Sequence, residues 1–159
     1  MKLWFDGSKI EFAVGIGFVI ESAEKVKTKH GFKLDSIQCT NNQVEYEAII
    51  AGLETLLNLT TSFIEVFRDS QLVIYHLNGE YKCLSPTLKI YYDTTMDLLA
   101  KFDIVTLLYI PRFLNQEPND MAQKALGFRY TSENFDINQV TCRKLLPILM
   151  TRLPLINSC

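Results

Sequence analysis

Four acidic side chains have positions suited to chemistry, because each lies at a predicted strand end or helix start: Asp6, Glu45, Asp69 and Asp120. Glu45 lies at the edge of an apolar helical stripe, so its helix is predicted to hold a carboxylate toward a site. Each acid also has an ordinary structural explanation. Asp6 suits a turn, Glu45 a capping box with Asn42 as N-cap, Asp69 an N-cap, and Asp120 a helix N-terminus.

The elements that would position these acids can be read from apolar periodicity. The helix that carries Glu45 spans Thr40 to Leu59 and is the longest segment with a helical period. Strands are predicted at 2–5, 12–21, 25–33, 63–67 and 104–110, and further helices at 71–77, from Ser85-Pro86 to Phe102, and at 117–126. Three strands followed by alternating helices and strands imply a mixed sheet with helices on both faces.

Composition and charge limit the classes of function. A chain of 159 residues with 48% hydrophobic content can form a core without disulfides. Its four cysteines have no metal-type spacing, and the N-terminus is not a signal peptide, so we expect a cytoplasmic or nuclear protein that is neither secreted nor inserted in a membrane. Net charge is −4 over residues 1–128 and +2 over 129–159. A polyanion would therefore need a local basic patch or a bound cation.

Two strand segments carry distinctive side chains. Gly15 and Gly17 lie two residues apart on one strand face, where they leave room for a backbone or a ligand, although a strand crossing or bulge explains them equally well. Lys25, Lys27 and Lys29 alternate along the next strand and give it a basic face, which is expected to be solvated.

Four segments occur in the order and spacing of a known domain: FDGSK, TNNQVEYEAIIAGLETL, VFRDSQLVI with NGEY, and IPRFLNQEPNDMAQKALG. They resemble the ribonuclease H-like domain, most closely the reverse-transcriptase-associated ribonuclease H of plant LTR-retrotransposon polyproteins. The resemblance implies an α/β fold with a five-stranded mixed sheet of order 3-2-1-4-5 and helices on both faces. It covers a domain at 1–128 and leaves a divergent C-terminal tail at 129–159.

The resemblance also implies a set of metal ligands. The metal-binding carboxylates of the family fall on Asp6, Glu45, Asp69 and Asp120, and two Mg²⁺ ions, or Mn²⁺, are implied as cofactors. Mg²⁺ prefers oxygen ligands, and two such ions about 4 Å apart hydrolyse a phosphodiester by activating water and stabilising the leaving oxygen. A close carboxylate cluster repels itself, and bound metal relieves that repulsion.

The same resemblance implies contacts with an RNA–DNA hybrid. Asn41, Asn42 and Gln71 look like the amide side chains that bind 2′-hydroxyls in the minor groove, which is how a protein distinguishes RNA from DNA. Ser70 and Thr40 look like phosphate contacts. Capping for the two asparagines and simple surface exposure for Gln71 are the structural alternatives.

The sequence departs from the family pattern near the expected site. The loop before Asp120 carries Arg112 and Asn115 in place of the histidine of many ribonucleases H, and the first hairpin carries the bulky segment KIEFAV. No basic, tryptophan-containing insertion lies near 78–85. We therefore expect slow turnover, weak binding by the isolated domain, and an adjoining polymerase domain in a parent polyprotein.

Three functions compete at this stage. The leading one is a metal-dependent endonuclease that cuts the RNA strand of RNA–DNA hybrids. The main rival is a degenerate retrotransposon-derived domain that binds nucleic acid or protein without cleavage, and the third is an unrelated α/β protein with four capping acids. The chain's limits indicate a truncated or domesticated fragment. The tail shows no period or caps, so we expect it to be loosely packed and dispensable for the core.

Overall fold

The structure is a computed structural model that describes residues 1–34, 40–69, 77, 85–127 and 141–143 of the chain, the last three by backbone alone. Its elements are β1 (Lys2–Ile10), β2 (Ala13–Glu21), β3 (Lys27–Leu34), α1 (Asn41–Asn58), β4 (Phe63–Arg68), α2 (Pro86–Leu99), β5 (Ile104–Tyr109), a 3₁₀ turn (Arg112–Leu114), α3 (Gln116–Ala125) and β6 (Thr141–Arg143). No helix within these ranges is long and apolar enough to cross a membrane.

The strands form one mixed sheet of order β5-β4-β1-β2-β3-β6. β1, β2 and β3 are an antiparallel meander, and β4 and β5 continue the sheet parallel to β1. The predicted order 3-2-1-4-5 is confirmed. β6 adds a short sixth strand parallel to β3, in a region where we expected no element. A three-residue edge strand is set by backbone pairing alone, so it leaves no period in the sequence.

Helices cover both faces of the central strands. α1 packs on the face that carries Leu3 and Phe5, while α3 packs on the other face against β2 and β3. Eight of the nine residues of β2 are buried, because this strand has a helix on each side. The main core lies between the sheet, α1 and α2.

The start of α1 differs from the predicted one in a way that matters for Glu45. Thr40 is the N-cap: its hydroxyl accepts a hydrogen bond from the Gln43 amide at 3.2 Å, and the Gln43 side chain accepts from the Thr40 amide at 3.0 Å. The capping box predicted between Asn42 and Glu45 is therefore wrong. The Glu45 carboxylate is left for another partner. The predicted cap of α2 by Ser85, with Pro86 in the first turn, is confirmed.

β1 is longer than predicted, and this places Asp6 inside a strand instead of at a turn. β1 pairs with β2 from Lys2 to Ile10, whereas its ladder with β4 ends where Trp4 faces Phe67. Beyond that point no strand among the described residues pairs with β1 on the β4 side, and we call this part of β1 its open edge. Asp6 lies two residues past the end of the β1–β4 ladder, and this opening is where the acidic residues meet.

The paired glycines of β2 allow α3 to approach closely. A Cβ atom added at Gly15 or Gly17 would overlap backbone atoms of α3, and one added at Gly31 of β3 would lie 2.7 Å from the carbonyl oxygen of Met121. Of the explanations left open by the sequence, close approach of a backbone is the correct one. The glycines determine how deeply α3 sits on the sheet, and hence how near its first turn comes to β1.

Gly17→Ala should destabilise the fold, because the new methyl group meets backbone that cannot rotate away. We expect a loss of about 1–3 kcal/mol in the free energy of unfolding, the usual cost of overpacking. Thermal unfolding should then shift down by about 3–8 °C. Lys33→Ala, at an exposed position on β3, is the control and should cost under about 0.5 kcal/mol. An unchanged melting temperature for Gly17→Ala would contradict this packing.

The basic face of β3 is not simply solvated, because Glu117 of α3 bridges two of its lysines. The Glu117 carboxylate lies 2.8 Å from Lys27 Nζ and 3.2 Å from Lys29 Nζ. Partial burial raises the pKa of Glu117, but the hydrogen bonds from both lysines outweigh it and leave the pKa below its ordinary value of 4.5. The ionised bridge therefore stabilises the contact between α3 and the sheet.

Glu117→Gln should reduce stability at neutral pH but not in acid. A carboxyl group with a lowered pKa stabilises the fold above its unfolded pKa, and this contribution disappears as pH falls through the folded value. Because Glu117 is 41% exposed, the bridge is worth only about 0.5 kcal/mol, or roughly 1–2 °C in melting temperature. Thermal melts of both proteins across pH 3–7 should converge below about pH 4. A constant difference across this range would disprove the bridge.

Candidate active site

Three of the four predicted acids meet around the guanidinium group of Arg68, at the open edge of β1. Arg68 Nη1 lies 2.7 Å from Asp6 Oδ1 and also contacts Asp69 Oδ1, while its Nη2 contacts Glu45 Oε2. The side chains of Arg68, Asp6 and Asp69 are at most 4% exposed, and that of Glu45 is 13% exposed. We call these four residues the Arg68 cluster.

Arg68 enters the cluster because of strand alternation. In β4, Ile64, Val66 and Arg68 are buried, while the residues between them are less buried. The guanidinium group lies 5.3 Å from the centre of the Phe5 ring, and Nη1 lies 3.4 Å from the Phe5 carbonyl oxygen. Arg68 was not among the predicted site residues. The signal was available, since the period-two pattern of FIEVFR places an arginine on the face that otherwise carries apolar residues.

The cluster has more negative than positive charge. With every group ionised, three carboxylates face one guanidinium group, which leaves a net charge of −2. Burial raises the pKa of Glu45 well above its ordinary value, Arg68 opposes this shift, and the neighbouring Asp6 and Asp69 add to it. Arg112 lies 3.7 Å from Asp69, but its side chain is 84% exposed and screened by solvent. When all these groups are ionised, this edge of the sheet therefore holds an excess of buried negative charge.

Asp120 does not join the other three acids. Its carboxylate instead accepts a hydrogen bond from Gln116 Nε2 at 2.7 Å, an exposed contact within α3. The neighbouring Asn119 contacts the cluster instead, with its Nδ2 donating to Asp6 Oδ2 at 3.0 Å. Successive helical residues point about 100° apart, so one position decides which side chain faces β1. The expected convergence of all four acids is therefore wrong for Asp120, and an amide occupies the position beside Asp6.

Asn115 holds the first turn of α3 against β1. It is fully buried, and its Nδ2 donates to the carbonyl oxygen of Phe5 at 3.0 Å, one residue before Asp6. A buried amide that loses such a partner costs about 1–3 kcal/mol, so this bond fixes the position of α3 along β1. Sequence analysis noted Asn115 only as a loop residue. Its role depends on a contact across 110 positions of the chain.

A polar cleft of about 300 Å³ opens beside the cluster. Its lining combines amides, cationic groups and Glu45: Gly7, Ser8, Lys9, Asn41, Val44, Glu45, Arg112, Asn119 and Gln123. Of the predicted substrate contacts, Asn41 lines this cleft, Asn42 is partly exposed on the same helical turn, and Thr40 uses its hydroxyl as the cap of α1. Ser70 and Gln71 lie outside the described residues.

The cluster suits divalent cations in chemistry but not in its present arrangement. Three carboxylates on β1, α1 and the end of β4 are oxygen ligands of the kind that Mg²⁺ prefers, and their excess charge favours a cation. However, the guanidinium group lies among the same oxygen atoms. Within the described ranges, no group of three or more potential ligand side chains is arranged to hold a metal ion.

Comparison with known proteins gives one family and several relatives. A family model described as reverse transcriptase-like matches residues 6–125. The chain is 36% identical over 89 residues to ribonuclease HI of Halobacterium salinarum, which covers 56% of this chain and 45% of that protein. It is 29% identical over 112 residues to a bifunctional protein of Mycobacterium tuberculosis, which covers 70% of this chain and 31% of that protein. The chain thus spans less than half the length of these curated relatives.

Solved structures of ribonucleases H have the same fold. The crystal structure of RNase H1 from Halobacterium salinarum matches with a TM-score of 0.74 at 30% identity, over 79% of this chain and 96% of that chain. LC11-RNase H1, solved in complex with an RNA/DNA hybrid, matches with a TM-score of 0.67 at 27% identity, over 79% and 98% of the two chains. The ribonuclease H-like fold predicted from the four segments is confirmed.

Paired substitutions on α3 test which residue faces the cluster. Asn119→Asp places a fourth carboxylate beside Asp6, so we expect a melting temperature lowered by about 2–6 °C without divalent cations, as repulsion replaces a hydrogen bond. Asp120→Asn removes a charge outside the cluster and should change the melting temperature by less than about 2 °C. A larger fall in melting temperature for Asp120→Asn than for Asn119→Asp would show that Asp120, and not Asn119, faces the cluster.

Proposed function

This chain belongs to the reverse transcriptase-like family and has a ribonuclease H-like fold, and on that premise we propose that it is a metal-dependent endonuclease hydrolysing the RNA strand of RNA–DNA hybrids. The observation that carries the proposal is the gathering of Asp6, Glu45 and Asp69 at the open edge of β1. Ribonuclease H homologues support hydrolase activity of this class.

The three carboxylates are the proposed cation ligands. Two divalent ions, Mg²⁺ or Mn²⁺, would supply water activation and stabilise the leaving 3′ oxygen. The protein's own contribution is positioning. Asp6 is held by the Gly7 amide at 2.8 Å and by Asn119, so its carboxylate has a defined orientation before any cation binds.

The cleft beside the cluster is the proposed path of the RNA strand. Asn41 lies on the first turn of α1, and an amide there can both donate to and accept from a 2′-hydroxyl group. Lys9 and Arg112 line the same cleft and bring positive charge to a domain that is otherwise acidic. A solved relative of the same fold was captured with an RNA/DNA hybrid, which supports this substrate class.

The wider context is also a proposal. Motif resemblance favours an origin in a plant retrotransposon polyprotein, where an adjoining polymerase domain would hold the template and compensate for weak binding by this domain. An intracellular location, cytoplasmic or nuclear, is consistent with such a substrate.

Cleavage of a labelled RNA–DNA hybrid tests the proposal. The chain should cut the RNA strand with Mg²⁺ or Mn²⁺ and not with Ca²⁺, and it should leave duplex DNA intact. Asp69→Asn should reduce the rate by at least about 100-fold, the scale for removing one preorganised electrostatic partner of a reacting group. Rates are measured with protein in excess, so that weak binding does not limit them.

Asp93→Asn is the matched control for this substitution. Asp93 lies on α2, is 56% exposed and pairs with Lys89, so it takes no part in the Arg68 cluster. Its variant should cleave at the original rate. Hybrid binding without cleavage at any Mg²⁺ or Mn²⁺ concentration would contradict the proposal. So would cleavage that is equal in Asp69→Asn and in Asp93→Asn.

A further inference from the structure

The guanidinium group of Arg68 lies at the centre of the proposed active site and contacts three carboxylates at once, with hydrogen bonds to Asp6 and Asp69 and an ion pair with Glu45. Its two terminal nitrogens contact Asp6, Asp69 and Glu45, and the side chain is only 3% exposed. A guanidinium group presents its positive charge on a planar fork of N–H donors that matches carboxylate oxygens. The cluster therefore contains a cationic group that belongs to the protein itself.

We propose that Arg68 competes with divalent cations for Asp6, Glu45 and Asp69, so that metal occupies the site only when the guanidinium group has left it. This inference rests on the proposed function, because it concerns the regulation of the same carboxylates. Competition follows from shared ligands: an oxygen atom at hydrogen-bonding distance from a guanidinium nitrogen cannot also coordinate Mg²⁺ along the same direction.

The surroundings of Arg68 favour the arrangement in which its guanidinium group contacts the three carboxylates. Its backbone is anchored at the end of β4, where its carbonyl oxygen accepts from the Ile110 amide at 2.9 Å. Its planar group lies over the Phe5 ring, and an arginine fork loses little freedom for each hydrogen bond that it forms. A divalent cation must displace a cationic group that already has defined contacts. The apparent affinity for the cation is therefore lowered in proportion to the fraction of molecules in which Arg68 has left the carboxylates.

Among the described residues, the cluster is most accessible from the polar cleft. Glu45 is 13% exposed and lines the polar cleft, whereas Asp6, Asp69 and Arg68 are at most 4% exposed. A cation that enters from the cleft reaches Glu45 first. It then competes with Arg68 Nη2, which forms an ion pair with the Glu45 carboxylate. We therefore expect this site to bind divalent cations only at higher concentrations than the same cluster would need without Arg68.

Two substitutions of Arg68 separate its charge from its size. Arg68→Met keeps a long unbranched side chain without charge, and Arg68→Lys keeps the charge. Titration calorimetry with Mn²⁺ alone, without nucleic acid, should give Arg68→Met an affinity at least about 10-fold higher than the original protein, within the usual range of coupling between two bound groups. Arg68→Lys should stay within about 3-fold of the original, because a competing ammonium group remains.

Arg112→Met is the control for a general change in charge. Arg112 is 84% exposed and 3.7 Å from Asp69, so its removal should change the Mn²⁺ affinity by no more than about 3-fold. An effect equal to that of Arg68→Met would show that net charge, and not displacement from the cluster, controls affinity. That result would overturn the proposal.

A measurement on the original protein covers the case in which Arg68→Met does not fold. The guanidinium NMR signal of Arg68 is followed while Mg²⁺ is added to the full chain. We expect the signal to shift as the group leaves the carboxylates, over the same concentrations at which calorimetry detects binding. Saturation of the cluster with no change in that signal would overturn the proposal.

The outcomes for cation binding and for cleavage are distinguishable. Tighter Mn²⁺ binding by Arg68→Met together with faster hybrid cleavage supports both proposals. Tighter binding without any cleavage supports competition by Arg68 and rejects the nuclease function. Equal Mn²⁺ affinity of the original protein and Arg68→Met rejects competition, whether or not the hybrid is cut.

Discussion

The bonding of one buried guanidinium group to three carboxylates is the interaction on which the rest of this structure depends. Asp6, Glu45 and Asp69 come from a strand, a helix and a strand end, and burying three like charges together is unfavourable without a cation. Arg68 supplies that cation from within the fold. The inward-pointing guanidinium group offsets the repulsion among these acids at the edge of β1.

The close seating of α3 on the sheet is the second constraint. Gly15, Gly17 and Gly31 carry no side chain where α3 crosses β2 and β3, so backbone packs directly on backbone. Asn115 then fixes the beginning of the helix to the Phe5 carbonyl group. Packing of small residues on one face of the sheet thus determines which polar side chain is delivered to Asp6.

The same arrangement shows how this ribonuclease H-like fold holds three acidic side chains close together. Carboxylates at this spacing repel each other, so the cluster needs a compensating positive charge. In this chain the positive charge comes from Arg68, the residue that precedes Asp69 at the end of β4.

Most of the described elements could be predicted from the sequence, and its resemblance to a known domain predicted the sheet order and pointed to the three acids that meet at Arg68. Apolar periodicity and helix caps are local properties of the chain, and four ordered motifs carried Asp6, Glu45 and Asp69 with them. These features survive without knowledge of any long-range contact.

The orientation of individual side chains depends on packing between elements and could not be predicted from local patterns. Whether Asn119 or Asp120 faces β1 depends on the rotation of α3 about its axis, which is set by packing on three glycines. The inward direction of Arg68 depends on which face of β4 meets α1, and the choice of Thr40 over Asn42 as cap released Glu45 for the cluster. A shift of one residue reverses the first two of these outcomes, because neighbouring side chains point about 100° apart on a helix and to opposite faces on a strand.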